Sequence, residues 1–191
     1  MDEQLFIFLN QLPHPVWLNY FFLFFSFYPL VIWTVIAGIV IFFEEHYDRW
    51  FFAKILAALV IAGFVASGIV KPLVKRPRPD LTLGSEVTLI AEKPAAIPWN
   101  NDYAFPSGHA AVAFAGVYIL TRKRKKSRKN IHSNINYVFI LIACLTAYSR
   151  IYLGKHYPLD TFFGAAIGWI VGWLVYNVNQ IKDVLVKTIN S

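Results

Sequence analysis

The sequence predicts an all-α membrane protein, a polytopic transmembrane helical bundle of five to six spans. The 191 residues are 57% hydrophobic and only 15% charged, whereas soluble domains are about 45–50% apolar and about 25% charged. The mean hydropathy is +0.49. Several uncharged runs approach the length of about 20 residues that a helix needs to cross a bilayer core of about 30 Å.

The N-terminal segment 1–15 is predicted to lie at the membrane interface. Within it, residues 3–12 have the pattern of a short amphipathic helix, a type of helix that lies in the interface plane. Two prolines then end that helix. We expect a single domain over residues 1–191, with a helical core at about 20–180.

A long uncharged run follows the interfacial segment. Residues 16–43 carry no charge, which is long for one span at a rise of about 1.5 Å per residue. Pro29 divides the run, so we expect a short helix at 16–27 and the main crossing at 29–43. The remaining spans are expected at 54–73, 107–121, 136–152 and 158–178.

The net charge of +7 comes from basic segments between apolar runs. This arrangement is typical of membrane topology and argues against a nucleic-acid groove. The loop 122–134 carries seven Lys or Arg residues, so the positive-inside rule places it in the cytoplasm. Counting spans outward then puts residues 71–105 and 149–158 on the extracytoplasmic face of the cell membrane. The basic stretch 71–78 would then lie on the extracytoplasmic face, against the positive-inside rule, which indicates that its charges have a function other than setting the topology.

The first polar cluster consists of Lys71, Lys75, Arg76 and Arg78, with prolines between them. One interpretation is a helix end whose long cationic side chains reach the lipid headgroups. Lys71 and Arg78 are, however, about two helical turns apart, so both can face one pocket.

The second cluster is Pro106, Ser107, Gly108 and His109, at the start of the third long span. Ser107 could simply cap the helix. The N-terminus of a helix also binds anions, because its first backbone N–H groups have no partner within the helix. The histidine adds a group that exchanges a proton near neutral pH.

The third cluster contains Ser149, Arg150, Lys155, His156 and Asp160. His156 and Asp160 are four residues apart, so on a helical turn the carboxylate can reach the imidazole. A carboxylate bonded to one ring nitrogen fixes the tautomer and leaves the other nitrogen to act as a nucleophile. The alternative for this cluster alone is a satisfied interfacial His–Asp pair.

The predicted topology places all three clusters at one membrane surface. Ionisable groups near a bilayer are costly and usually mark function. Cations and helix N–H groups can stabilise the oxygens of a phosphoryl group, while one histidine attacks and the other protonates the leaving oxygen. The clusters therefore predict phosphate binding and transfer. No metal-binding pattern such as H-E-x-x-H is present, so no metal or other cofactor is expected.

The three clusters resemble the signature motifs of the type 2 phosphatidic acid phosphatase (PAP2) superfamily. The motifs are complete and in the family's order: Lys71-x6-Arg78-Pro79, Pro106-Ser107-Gly108-His109 and Ser149-Arg150-x5-His156-x3-Asp160. The resemblance implies a metal-independent phosphatase with a helical-bundle fold.

The resemblance also implies a role for each matching residue. His156 would be the nucleophile that forms a phosphohistidine, Asp160 would orient it, and His109 would be the general acid that later helps to activate water. The phosphate would be held by Lys71, Arg78, Ser107, Gly108 and Arg150. Lys75 and Arg76 fall at variable positions of the first motif and receive no role.

A phosphorylated membrane lipid is the implied substrate. Small family members with short loops resemble undecaprenyl-diphosphate phosphatases, so undecaprenyl diphosphate is the expected lipid. Phosphatidylglycerophosphate, phosphatidate and lipid A phosphatases are the alternatives, and the loop 80–103 could shape headgroup choice or simply connect. The superfamily's haloperoxidases are soluble and larger, which this hydrophobic chain argues against. A transporter or binding protein for phosphorylated lipids is the alternative from another class, but transporters place their polar groups near the midplane.

Overall fold

The computed structural model describes residues 1–27, 29–43, 49–90, 103–122 and 131–178. The predicted cytoplasmic loop falls mostly outside the described residues, because its basic run after Arg122 is not among them. Most of the second half of the loop 80–103 also lies outside them.

Helices make up the described structure, which confirms the predicted all-α class. The first half contains α1 (Asp2–Asn10), α2 (Val16–Phe27), α3 (Pro29–Phe43) and α4 (Arg49–Phe64), and α4 continues through a π-helical segment (Val65–Val70) into α5 (Lys71–Val74). The second half contains α6 (Pro79–Leu83), a 3-10 turn (Gly84–Glu86), α7 (Gly108–Arg122), α8 (Ile131–Tyr152) and α9 (Pro158–Tyr176).

Among the described residues, fewer helices than the predicted five to six are long enough to cross a membrane. In the described part of the chain, three segments have the required length and apolar character: Trp50–Val74, Ile135–Tyr152 and Pro158–Tyr176. Helices α2 and α3 together form a fourth candidate, bent by 76° at their junction. Helix α7 was expected to span; its 15 described residues reach about 22 Å at about 1.5 Å per residue.

The short helix α7 occupies the middle of the bundle. It packs against α3, α4, α8 and α9, and its fully buried side chains are mostly small: Ala110, Ala111, Ala113 and Ala115. Gly164, Gly168 and Gly172 of α9 face it at four-residue intervals. A Cβ atom at Gly168 would lie 2.1 Å from the Ala111 carbonyl oxygen, so the two backbones are in direct contact, as in membrane helix pairs built on small residues.

The outside of the bundle is apolar. Side chains that are more than half exposed include Val60, Phe64, Leu141, Phe162 and Ile170. A patch of this kind marks a membrane contact, as the composition predicted. Cys144 in α8 is likewise exposed. An apolar run in a spanning helix faces lipid on one side, so apolar neighbours in sequence do not imply burial in protein.

Helix α1 forms close to where the amphipathic pattern predicts it, and it packs on α8 and α9. Phe6 is fully buried there. The Asn10 side-chain amide donates to the backbone oxygens of Ile151 (3.2 Å) and Tyr152 (3.0 Å). The helix is thereby fixed to the end of the bundle at which α8 ends and α9 begins.

Candidate active site

The three predicted clusters meet at one end of the bundle, where α5 and α8 end and α7 and α9 begin. The ammonium group of Lys71 is largely buried and lies within electrostatic reach of Arg78, Arg150 and Asp160. The backbone N–H of Ser107 donates to the backbone oxygen of Asp160 (2.9 Å), which ties the starts of α7 and α9 together. The structure thus brings the sequence-predicted residues into one site.

The first cluster sits where the long α4–α5 helix stops. The helix ends because Lys75 adopts a left-handed conformation, with φ of 54°. The chain is then extended at Arg78, and Pro79 takes the first position of α6, a position at which proline loses no hydrogen bond. Lys71 therefore lies before, and Arg78 after, a fixed turn that is bounded by prolines.

The second cluster forms the N-terminus of α7. Ser107 is fully buried, and its hydroxyl accepts from the N–H of Ala110 (3.4 Å), as an N-cap does. A Cβ atom at Gly108 would lie 2.3 Å from the Ser67 hydroxyl, so the start of α7 packs closely against the π-helical segment. The N-terminal end of α7, which favours anions, lies within electrostatic reach of Arg150 and Lys71 through His109.

His109 is the second histidine of the site. It lies within electrostatic reach of Arg150, His156 and Lys71, and it interacts with the backbone of Ser26 at the end of α2. Two imidazoles therefore share one pocket with the cations, which is the arrangement that acid–base chemistry on a bound anion requires.

The third cluster is held by a tight turn between α8 and α9. The backbone oxygen of Arg150 accepts from the N–H groups of Lys155 (2.9 Å) and His156 (3.1 Å). Gly154 has a φ of 78°, a conformation that glycine adopts without steric cost. The Arg150 guanidinium is almost completely buried and donates to the Ser26 hydroxyl. The turn thus places His156 beside Arg150.

His156 and Asp160 are neighbours, as their spacing predicts. Nδ1 of His156 lies 3.7 Å from Oδ2 of Asp160, which is within ion-pair range but too long for a hydrogen bond. The same Oδ2 accepts from the backbone N–H of Tyr157 (2.8 Å). Catalytic hydrogen bonds are often long before substrate binds and shorten in the complex with substrate.

His156 is held in its neutral form. Its pKa is lowered well below the ordinary value of 6.5, first by burial and then by the positive charges of Lys71, Arg150 and Arg78. The backbone of Ala104 has the opposite effect but contributes less. Because only the neutral imidazole has a free lone pair, this environment favours a nucleophilic histidine near neutral pH.

A sequence profile of the PAP2 superfamily matches residues 51–183. The chain belongs to the PAP2 superfamily. The match includes all three clusters and confirms the family that the motifs indicated.

This PAP2 protein is similar to several characterised relatives. The lipid A 4'-phosphatase of Bacteroides thetaiotaomicron is 28% identical over 185 residues, which cover 92% of this chain and 76% of that protein. The undecaprenyl-diphosphatase BcrC of Bacillus subtilis is 30% identical over 122 residues, covering 63% of this chain and 54% of that protein. The crystal structure of Aquifex aeolicus LpxE superposes with a TM-score of 0.62 and 28% identity, covering 91% of this chain and 93% of that chain.

Two residues of this PAP2 site were not predicted from the sequence. Arg76 received no role, yet its Nη1 lies 2.7 Å from Oδ1 of Asp160 and its Nη2 lies 2.7 Å from Oδ2 of Asp2. The sequence does contain one indication for Arg76: it lies in the basic stretch 71–78, which the positive-inside rule would not place on the extracytoplasmic face. Nothing in the sequence pointed to Asp2, since its partner is distant along the chain.

Proposed function

We propose that this membrane lipid phosphatase removes a phosphate from its substrate through a phosphohistidine at His156, without a metal ion. The observation that carries the proposal is the buried, neutral His156, which has Asp160 on one side and three cationic side chains around it. In the described part of the chain, no three His, Cys, Asp or Glu side chains are grouped as metal ligands.

In the first step, the substrate phosphate binds among Lys71, Arg78 and Arg150 at the N-terminus of α7. Nδ1 of His156 faces Asp160, so Nε2 is the nitrogen that attacks phosphorus. The N–P bond forms as the bond from phosphorus to the leaving oxygen breaks. His109, protonated beside the bound phosphate anion because an adjacent negative charge favours the imidazolium, gives its proton to that oxygen. The cations stabilise the charge on the other phosphoryl oxygens.

In the second step, water attacks the phosphohistidine. His109, now neutral, accepts a proton from the water as its oxygen bonds to phosphorus, and the N–P bond breaks. Inorganic phosphate leaves, and both histidines return to their starting states. Ser107 and Gly108 hold the phosphate in both steps through the start of α7.

Two lipids compete as the substrate. The similarity to the lipid A 4'-phosphatase extends over more of the chain than the similarity to the undecaprenyl-diphosphatase, which favours a lipid A-type glycolipid phosphate. Undecaprenyl diphosphate, the lipid expected from the sequence, remains the second candidate because of the 30% identity to BcrC. We further propose that the site faces the extracytoplasmic side of the cell membrane, on the charge pattern of the loops.

A side-by-side substrate panel tests this proposal. Purified protein in detergent with EDTA is given a lipid A precursor, undecaprenyl diphosphate, phosphatidylglycerophosphate and phosphatidate, and released phosphate is measured. We expect the highest kcat/KM with the lipid A precursor. A higher kcat/KM with undecaprenyl diphosphate would reverse the order of the candidates, and a requirement for added divalent metal would contradict the metal-free mechanism.

A further inference from the structure

We propose that Arg76, held in place by Asp2 of α1, is a positioning residue for the Asp160–His156 pair, so that helix α1 is part of the active site. This inference rests on the proposed role of His156 as the nucleophile. It assigns a function to Arg76, which has no role in the family motifs.

Arg76 fixes the orientation of the Asp160 carboxylate. The Asp160 side chain is fully buried, and its Oδ1 is 2.7 Å from Nη1 of Arg76. Its Oδ2 accepts from the N–H of Tyr157 (2.8 Å) and faces Nδ1 of His156 at 3.7 Å. Because each oxygen has its own donor, the carboxylate cannot rotate without losing a charge-assisted bond. Arg76 thereby keeps Oδ2 directed at the imidazole.

Arg76 is itself fixed from three directions. Its Nη2 donates to Oδ2 of Asp2 (2.7 Å), and its guanidinium lies 3.9 Å from the centre of the Tyr157 ring, a favourable cation–π contact. Its backbone oxygen accepts from the N–H of Ala104 (2.7 Å). One planar guanidinium thus bridges two carboxylates, which a lysine ammonium cannot reproduce.

The bridge sets Arg76 apart from the cations that surround His156. Lys71 and Arg78 act on the imidazole, and their charges are available to a phosphate. The charge of Arg76 is shared between Asp2 and Asp160. Arg76 therefore orients the nucleophile through Asp160 and does not compete for the substrate.

Helix α1 presents Asp2 at a fixed position. Oδ1 of Asp2 accepts from the N–H of Leu159 (3.1 Å) in the first turn of α9. Phe6 packs edge-on against Tyr157, with ring centres 5.3 Å apart, and Asn10 is bonded to the end of α8. The interfacial helix predicted from sequence is thus bonded to the same turn that carries the proposed nucleophile.

Steady-state kinetics of four variants test this role. Arg76→Gln should lower kcat on the order of 100-fold, the effect of a misplacement of about 1 Å, with KM nearly unchanged because substrate binding is intact. Arg76→Lys should restore only part of this loss. Asp2→Asn should lower kcat about 2- to 5-fold, since it removes a partly exposed charge pair. Glu3→Gln, which removes an exposed charge from the same helical turn, should behave as wild type.

Double variants separate positioning from a general structural role. In an Asp160→Asn background, Arg76→Gln should cause no further loss of kcat, because Arg76 acts through that carboxylate. The ¹⁵N resonances of the His156 ring should move in Arg76→Gln and Asp2→Asn but not in Glu3→Gln. If Arg76→Gln does not fold, Asp2→Asn and Arg76→Lys carry the same comparison.

The outcomes for this inference and for the proposed function are distinct. Wild-type kcat in Arg76→Gln would overturn the positioning role. So would a double variant whose loss of kcat is the product of the losses in Arg76→Gln and Asp160→Asn. In either case, the proposed function stands as long as activity depends on His156. Full turnover in His156→Ala would overturn the proposed function and this inference together.

Discussion

Replacing Gly164 with alanine should weaken catalysis through the contact between α9 and the start of α7. The added Cβ would lie 2.3 Å from the Ser107 carbonyl oxygen, whereas real Cβ contacts essentially never fall under 3.0 Å. The two backbones must therefore separate by at least about 0.7 Å, the difference between these distances. Because the Ser107 N–H is bonded to Asp160, the shift separates the phosphate-binding turn from the catalytic pair.

A displacement approaching 1 Å near a reacting centre costs up to about 100-fold in rate, so kcat/KM should fall by more than 10-fold and by up to this amount. The overpacking should also lower the free energy of unfolding by about 1–3 kcal/mol. Lipid turnover and thermal unfolding in detergent measure the two effects.

Gly38→Ala is the matched control. An added Cβ at Gly38 has no neighbour within 4 Å, and alanine is favoured over glycine in a helix by up to about 1 kcal/mol. This variant should keep wild-type turnover. Wild-type kcat/KM and unfolding temperature in Gly164→Ala would show that the α7–α9 contact does not position the site.

The lowered pKa of His156 keeps the imidazole neutral as pH falls, so the acid limb of kcat/KM should lie below the ordinary histidine value of about 6.5. Lys71→Gln removes a positive charge beside the ring and should move that limb to higher pH; an unmoved limb would contradict the electrostatic cause. His109→Gln should slow lipid turnover far more than turnover of p-nitrophenyl phosphate, whose leaving group needs no proton, and equal losses would argue against the general-acid role. Trp33→Ala, at a fully buried side chain, should lower the unfolding free energy by about 3–5 kcal/mol, read from thermal unfolding by circular dichroism.

Residues of the site that carry unusual chemistry could be predicted from sequence. Lys71, His109 and Arg150 stand out because ionisable groups are rare in apolar runs. His156 and Asp160 could be paired because their spacing is local and helical. In each case the physical signal lies within a few residues of the chain.

Features that depend on contacts between distant segments could not be predicted in this way. Arg76 forms its ion pair with Asp2 only when α1 packs at the end of the bundle, and Arg150 contacts Ser26 only when α2 packs on α8. The short central position of α7 likewise follows from packing against neighbouring helices, whereas hydropathy alone predicts a span for any apolar run of sufficient length.

The central claim is that His156 carries the phosphoryl group. Protein mixed with ³²P-labelled lipid phosphate is quenched within one turnover, and the labelled residue is identified by mass spectrometry. We expect an acid-labile, base-stable N-linked phosphate on the peptide that contains His156, and no label in His156→Ala. Full turnover in His156→Ala, or label on a different residue, would contradict the account.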